Sequence, residues 1–167
     1  MAAPRAVRVP TRRKLTMTEH ATQKVVIQAT PERCFAVASD FERYSAWASD
    51  VKEAIVRTRD DEGRGSEVEY RAAAMGRSTT YTLRYNYGSN PLRMSWRLLR
   101  GDLMLRLDGE YEFSAVPGDP TSTEVTYYLA VDPAVVLPGF VKRRAEARIM
   151  HNALEQLKAA VESGAGA

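Results

Sequence analysis

Tyrosine is the residue type whose placement in this sequence bears on chemistry. The 167 residues hold eight Tyr against four Phe. Tyr70, Tyr81, Tyr85, Tyr111 and Tyr127 each lie in a stretch where apolar and polar residues alternate. Each takes the apolar phase, as does Trp96. A sheet face meant only for packing favours Phe, Leu and Ile, because a buried phenol or indole N–H must find a partner. Several such donors on one face point to a partly wet cavity for a ring-bearing or carbonyl-bearing molecule. The competing reading has each ring leaning to the sheet rim with its hydroxyl in solvent. Trp47, Leu105, Met150 and Leu154 join these residues as candidate ligand contacts. Trp47 ends a short helical pattern and serves either as cavity wall or as a plug in the core. Leu105 sits in the apolar phase of its strand. Met150 and Leu154 sit on the apolar stripe of a long helix.

Acid–base and nucleophilic candidates are few. Glu53 shares parity with Val51 and Ile55, so it is the one strand carboxylate placed inward and a weak candidate base. A strand edge beside a register break would account for it equally. His151, next to Met150 and Leu154, is the other weak catalytic candidate, against a boundary histidine with one side in solvent. Cys34 has no His or basic cluster beside it and reads as a small buried apolar group. Asp108, Glu110 and Glu112 share the outer phase with Arg106, a pattern that describes a solvated face. Lys142, Arg143, Arg144 and Arg148 crowd the start of the long helix, where the helix dipole disfavours cations. Such a cluster would steer an acidic ligand or a membrane surface, or simply face water. No metal-ligand spacing, phosphate-cradling glycine loop or nucleophile elbow is present, so neither a metal nor another cofactor is expected.

The elements that must position these residues follow from periodicity. Residues 22–28 form a strand around Val25, Val26 and Ile27. Thr30 and Pro31 then start a helix as N-cap and first helical residue. A second short helix follows Asp40, with Phe41, Tyr44 and Trp47 at spacings of three on one face. From Val51 to Val131 the period becomes two, in six runs separated by short turns such as Asp60–Gly63 and Gly101–Asp102. Short connections allow only antiparallel neighbours. In the fifth run Leu103, Leu105, Leu107, Tyr111 and Phe113 share a face, opposite Met104 and Arg106. One apolar face must be covered, and the cover is a helix over 138–162 with Phe140, Ala147, Met150, Leu154, Leu157 and Val161 on its stripe. The class is α+β: a curved antiparallel sheet, two short helices after the first strand, and a long C-terminal helix.

Composition bounds the rest. The length fits one domain, expected over residues 19–163, with a frayed end at 164–167. The pI of about 9.1 is misleading. Met1–Thr16 carries five basic residues and no acid, which leaves 19 Lys and Arg against 21 Asp and Glu in the remainder. The basicity is therefore confined to a leader, residues 1–18, expected to be disordered or untranslated with Met17 as a second start. Nucleic acid is not an expected partner. With one Cys and no apolar run of membrane-spanning length, a cytoplasmic protein is expected, with transient membrane contact as the limit. Monomer and homodimer both stay open.

Several stretches carry a likeness: Ala29-Thr30-Pro31-Glu32, Asp40-Phe41-Glu42-Arg43-Tyr44 leading into Trp47, Leu107-Asp108-Gly109-Glu110-Tyr111-Glu112-Phe113, Leu137-Pro138-Gly139 and Leu154-Glu155-Gln156-Leu157-Lys158. Over Glu19 to Glu162 the chain resembles the START-like helix-grip (SRPBCC) superfamily, nearest its bacterial polyketide cyclase/dehydrase and lipid-transport group. The resemblance implies a sheet gripping the last helix, with an apolar small molecule such as a lipid, quinone or polyketide-like compound bound between them. It carries no shared catalytic motif, and fold alone does not fix function. Three readings are held: a small-molecule binding protein, a cyclase or dehydratase on a polyketide-type substrate, and a protein-interaction module using the basic leader or the start of the long helix.

Overall fold

The computed structural model describes residues 20–74 and 76–164. The expected leader, residues 1–18, lies outside the described residues, as do residues 165–167 of the expected frayed end. Strand β1 (Ala21–Ile27) leads to helix α1 (Pro31–Ala38), a 3-10 turn (Phe41–Arg43) and helix α2 (Tyr44–Trp47). Strands β2 (Val51–Arg59), β3 (Gly65–Ala74), β4 (Arg77–Ser89), β5 (Leu92–Gly101), β6 (Met104–Val116) and β7 (Asp119–Pro133) follow, then helix α3 (Gly139–Glu162). All seven strands form one antiparallel sheet in the order β1-β7-β6-β5-β4-β3-β2. This is the α+β helix-grip architecture read from the sequence.

Local chemistry explains the short helices. The Thr30 hydroxyl accepts from the Arg33 N–H at 3.3 Å, and Pro31 opens α1. Phe41 is buried at the centre of the fold, with its ring 4.4 Å from that of Tyr85. Gly65 makes room for it, since a Cβ there would lie 2.8 Å from the Phe41 ring.

Helix α3 does not cover the whole sheet, and that fact creates the cavity. It packs on β1 and β7 and touches α1 and α2. Gln23 donates to the Ala147 carbonyl at 2.9 Å, and Lys158 donates to the Val26 carbonyl at 2.8 Å. Met150, Leu154, Leu157, Ala160 and Val161 are buried on this side. The expected stripe is wrong in its first half: Phe140 is 62% exposed and Ala147 is also exposed, while Glu146 is buried. Lys142 makes that tolerable. Its ammonium lies 3.9 Å from Glu146 and 2.8 Å from Asp132. Burial still raises the Glu146 carboxyl above its ordinary value.

Two β-bulges overturn two expected orientations. Between Val51 and Glu53 the pairing slips, so that Val51 faces Ala72 while Glu53 faces Arg71. Arg71 points outward, and Glu53 goes with it, 3.5 Å from its guanidinium and half exposed. Glu53 is therefore no inward base. On β6 a second slip separates Met104, paired with Pro133, from Arg106, paired with Asp132. The extra residue is Leu105, which is 75% exposed, and Met104 takes the inward place expected for it. One added residue reverses every side chain up to the bulge.

Candidate functional site

The inner faces of β3–β6, which α3 leaves uncovered, bound an aromatic chamber of about 210 Å³. Tyr70, Tyr81, Tyr85, Trp96, Tyr111 and Tyr127 line it from the sheet, and Tyr44 and Trp47 close it from α2. The rings form a continuous wall. Tyr70 stacks on Tyr81 with centroids 5.3 Å apart, and Tyr111 lies 4.6 Å from Tyr127 and 5.2 Å from Trp96. Trp96 reaches this position because its neighbour across the ladder is Gly109: a Cβ there would sit 2.4 Å from the indole. Space arises where Ala72 and Ala74 of β3 and Ala153 of α3 present only methyl groups to the lining.

An outer vestibule of about 440 Å³ adjoins the chamber and shares Asp50, Met104, Ile149 and Asn152 with it. Lys142, Glu146 and Arg148 edge the vestibule along α3, Pro133 edges it from the end of β7, and Leu137 from the loop before the helix. Chamber and vestibule together reach the size range of small-molecule sites, roughly 300–1,000 Å³. Gln156 pins one side of the opening: it accepts from the Ser49 N–H at 3.1 Å and donates to the Ser49 hydroxyl at 2.7 Å.

The donors divide into spent and unspent. The Tyr44 hydroxyl donates to the Ala38 carbonyl. Tyr70 and Tyr85 share one hydrogen bond at 2.6 Å. Two phenols hold two protons and this contact uses one, so the pair keeps a donor in hand. The hydroxyls of Tyr81, Tyr111 and Tyr127 and the Trp96 N–H have no hydrogen-bond partner among the described residues. No fully buried side-chain polar atom among the described residues lacks a partner, so these four groups open onto the chamber. Burial raises the Tyr44, Tyr70, Tyr85, Tyr111 and Tyr127 phenols well above the ordinary value, and neighbouring phenols add to the effect for all but Tyr111. Tyr81 is pushed up to about 12 by burial and by the charge of Asp50. Every chamber phenol is thus a donor, and none is a base, at physiological pH.

The structure brings together Trp47, Tyr70, Tyr81, Tyr85, Trp96 and Tyr127, with Tyr111, and leaves out the rest. Leu105 lies on the outer surface. Met150 and Leu154 are buried in the core on the β1 side, and Ile149, Asn152, Ala153 and Gln156 hold the places facing the cavity. His151 is exposed and absent from both cavity walls. Cys34 is fully buried, and burial raises its thiol above the ordinary value. Asp50, at the opening, is the one carboxylate of the chamber wall among the described residues. Ala72 and Ala74, small residues in the inward phase of β3, are the sequence signal for space that the tyrosine pattern alone does not supply.

The sequence profile of a family described as polyketide cyclase/dehydrase and lipid transport matches residues 18–162. No curated protein matches the sequence. Among solved structures, a START superfamily protein from Mycobacterium smegmatis is similar at TM-score 0.81 and 21% identity, over 86% of this chain and 97% of that one. The Zhui aromatase/cyclase from a Streptomyces species is similar at TM-score 0.70 and 14% identity, over 86% and 92%. A Thermus thermophilus protein is similar at TM-score 0.70 and 22% identity, over 87% and 98%. At such identities the likeness establishes the fold.

Proposed function

The chain belongs to the polyketide cyclase/dehydrase and lipid transport family, and from that premise we propose that it binds one hydrophobic, ring-bearing small molecule in the aromatic chamber. The observation that carries this reading is the set of unspent donors. Tyr81, Tyr111 and Tyr127 hydroxyls and the Trp96 N–H face a cavity walled by rings. Donors without protein acceptors suit a flat ligand that carries carbonyl or hydroxyl oxygens. A quinone or an aromatic polyketide-like ketone meets that description better than a plain fatty acyl chain, which has apolar length and no acceptors along it.

A cyclase reading has one supporting observation, the Tyr70–Tyr85 pair, whose remaining proton could stabilise an oxyanion. It lacks a base. Among the described residues the chamber wall holds no histidine, and its one carboxylate, Asp50, stands at the opening. Binding without turnover is the reading these residues support best.

Titration calorimetry against naphthoquinones, hydroxyanthraquinones and matched fatty acids tests it. Quinones and hydroxyanthraquinones bind saturably at one site, fatty acids bind more weakly, and Ala153→Phe, which fills the chamber from α3, abolishes binding. Equal binding to the blocked variant would place the ligand elsewhere. Turnover of a polyketide-type ketone that Asp50→Asn removes would favour the cyclase.

A further inference from the structure

The most exposed apolar side chains gather beside the vestibule. Val136 is fully exposed at 101%, with Val135 at 58% and Phe140 at 62%. Leu105, in the bulge of β6, adjoins them: Met104 pairs with Pro133, and the Ala134 N–H donates to the Leu103 carbonyl at 2.9 Å. Isolated exposed apolar residues are ordinary, but a group projecting from one loop and the helix turn after it marks a contact surface.

Cations flank this tip. Arg143, Arg144 and Arg148 are exposed and make no salt bridge among the described residues, whereas Lys142 is engaged by Asp132 and Glu146. The only acid in the first three turns of α3 is Glu146, which is buried. Leu137 and Arg148 also line the vestibule, so the tip, the cations and the cavity opening share one rim.

We propose that the rim formed by Val135, Val136 and Phe140 with Arg143, Arg144 and Arg148 docks the protein on an anionic bilayer, with the cavity opening against the lipid. An apolar tip reaching the boundary between headgroups and acyl chains, with arginines at the level of the phosphates, is the arrangement interfacial binding requires. A protein partner fits less well. A stable protein interface buries about 1,000 Å² or more, and three apolar side chains flanked by like charges supply little of that area. Docking there would let a hydrophobic ligand pass between bilayer and cavity without crossing water. The surface stands independently of the chamber's occupant, because the rim substitutions leave the chamber lining unchanged.

Flotation of the full chain with phosphatidylcholine vesicles, with and without phosphatidylserine, tests the proposal. The protein floats with the phosphatidylserine vesicles. Val136→Asp/Phe140→Asp weakens that binding roughly tenfold or more, as removal of buried apolar area requires. Arg143→Gln/Arg144→Gln weakens it by about fivefold per cation and leaves any residual binding to neutral vesicles unchanged. All four substituted side chains are in solvent, so thermal midpoints of the variants match that of the parent. Unchanged flotation of Val136→Asp/Phe140→Asp would overturn the proposal, since the basic segment Met1–Thr16 would then carry the binding. Failure of the parent chain to float would overturn it too. So would a parent that runs as a dimer in gel filtration while Val136→Asp/Phe140→Asp runs as a monomer, because the tip would then serve self-association.

Discussion

Chamber phenols differ in what their hydroxyls do, and single substitutions read that difference. Tyr70 spends its hydroxyl on Tyr85, so Tyr70→Phe costs about 1 kcal/mol in denaturant unfolding. Tyr127 has no such partner, so Tyr127→Phe changes stability by less than about 0.5 kcal/mol. The order reverses for binding: Tyr127→Phe weakens a quinone about tenfold, the value of a hydrogen bond in a desolvated site. Equal stability losses at both positions would mean that Tyr127 is bonded within the protein. The phenols also set an alkaline limit. Unfolded tyrosines ionise at their ordinary value of 10.0, while Tyr81 holds its proton to about 12. The folded state therefore binds more protons in that window. Its contribution is complete below pH 10.0 and is lost as pH rises toward 12, so unfolding free energy falls across that interval and is regained in part by Tyr81→Phe. The tyrosine phase was legible in the sequence because alternation assigns a face. Which hydroxyls lack partners was not, since that depends on contacts between strands far apart in the chain.

At the scale of elements, legibility failed where a strand gained a residue. Strict alternation places Glu53 and Leu105 inward, and both point outward because a bulge shifts the pairing at Val51/Glu53 and at Met104/Arg106. A bulge has no sequence signature at either position beyond ordinary strand residues, and it is fixed by what the partner strand offers. Helix α3 departs in the same way at its start. Apolar periodicity favours Phe140 and Ala147, yet the helix inclines so that Glu146, partnered by Lys142, turns inward. Its second half, Met150 to Val161, follows the expected stripe. Gly109 tests the element that holds the chamber wall. Gly109→Ala places a Cβ 2.4 Å from the Trp96 ring and 2.9 Å from the Tyr128 carbonyl. Because the obstruction includes backbone, it costs about 2 kcal/mol, and the Trp96 emission maximum shifts to the red as the indole is displaced. An unshifted spectrum with native stability would show that β5 and β6 have more slack than their pairing implies.

For the whole molecule, the cavity is a consequence of a helix too narrow for its sheet. Seven strands present an inner face; α3 covers the side formed by β1 and β7, and α1 packs on β5, β6 and β7. The remainder is closed by α2 from one side and by the tyrosines themselves, which leaves a hollow. The α+β order and the grip on the last helix could be read from element sequence and turn length. The tyrosine phase points to a hollow, but its bounds were not legible, because they depend on how far across the sheet the helix lies. If the hollow takes a ring-bearing ligand, the ring lies against Trp96 and the free phenols. The sequence contains two tryptophans, so Trp47→Phe leaves Trp96 as the only indole and a reporter on the chamber wall. The most direct measurement is Trp96 fluorescence in that variant during titration with a hydroxyanthraquinone. Quenching is expected to saturate at one equivalent and to be abolished in Trp47→Phe/Ala153→Phe. Quenching that rises linearly without saturation, or persists unchanged in the blocked variant, would contradict binding in the hollow.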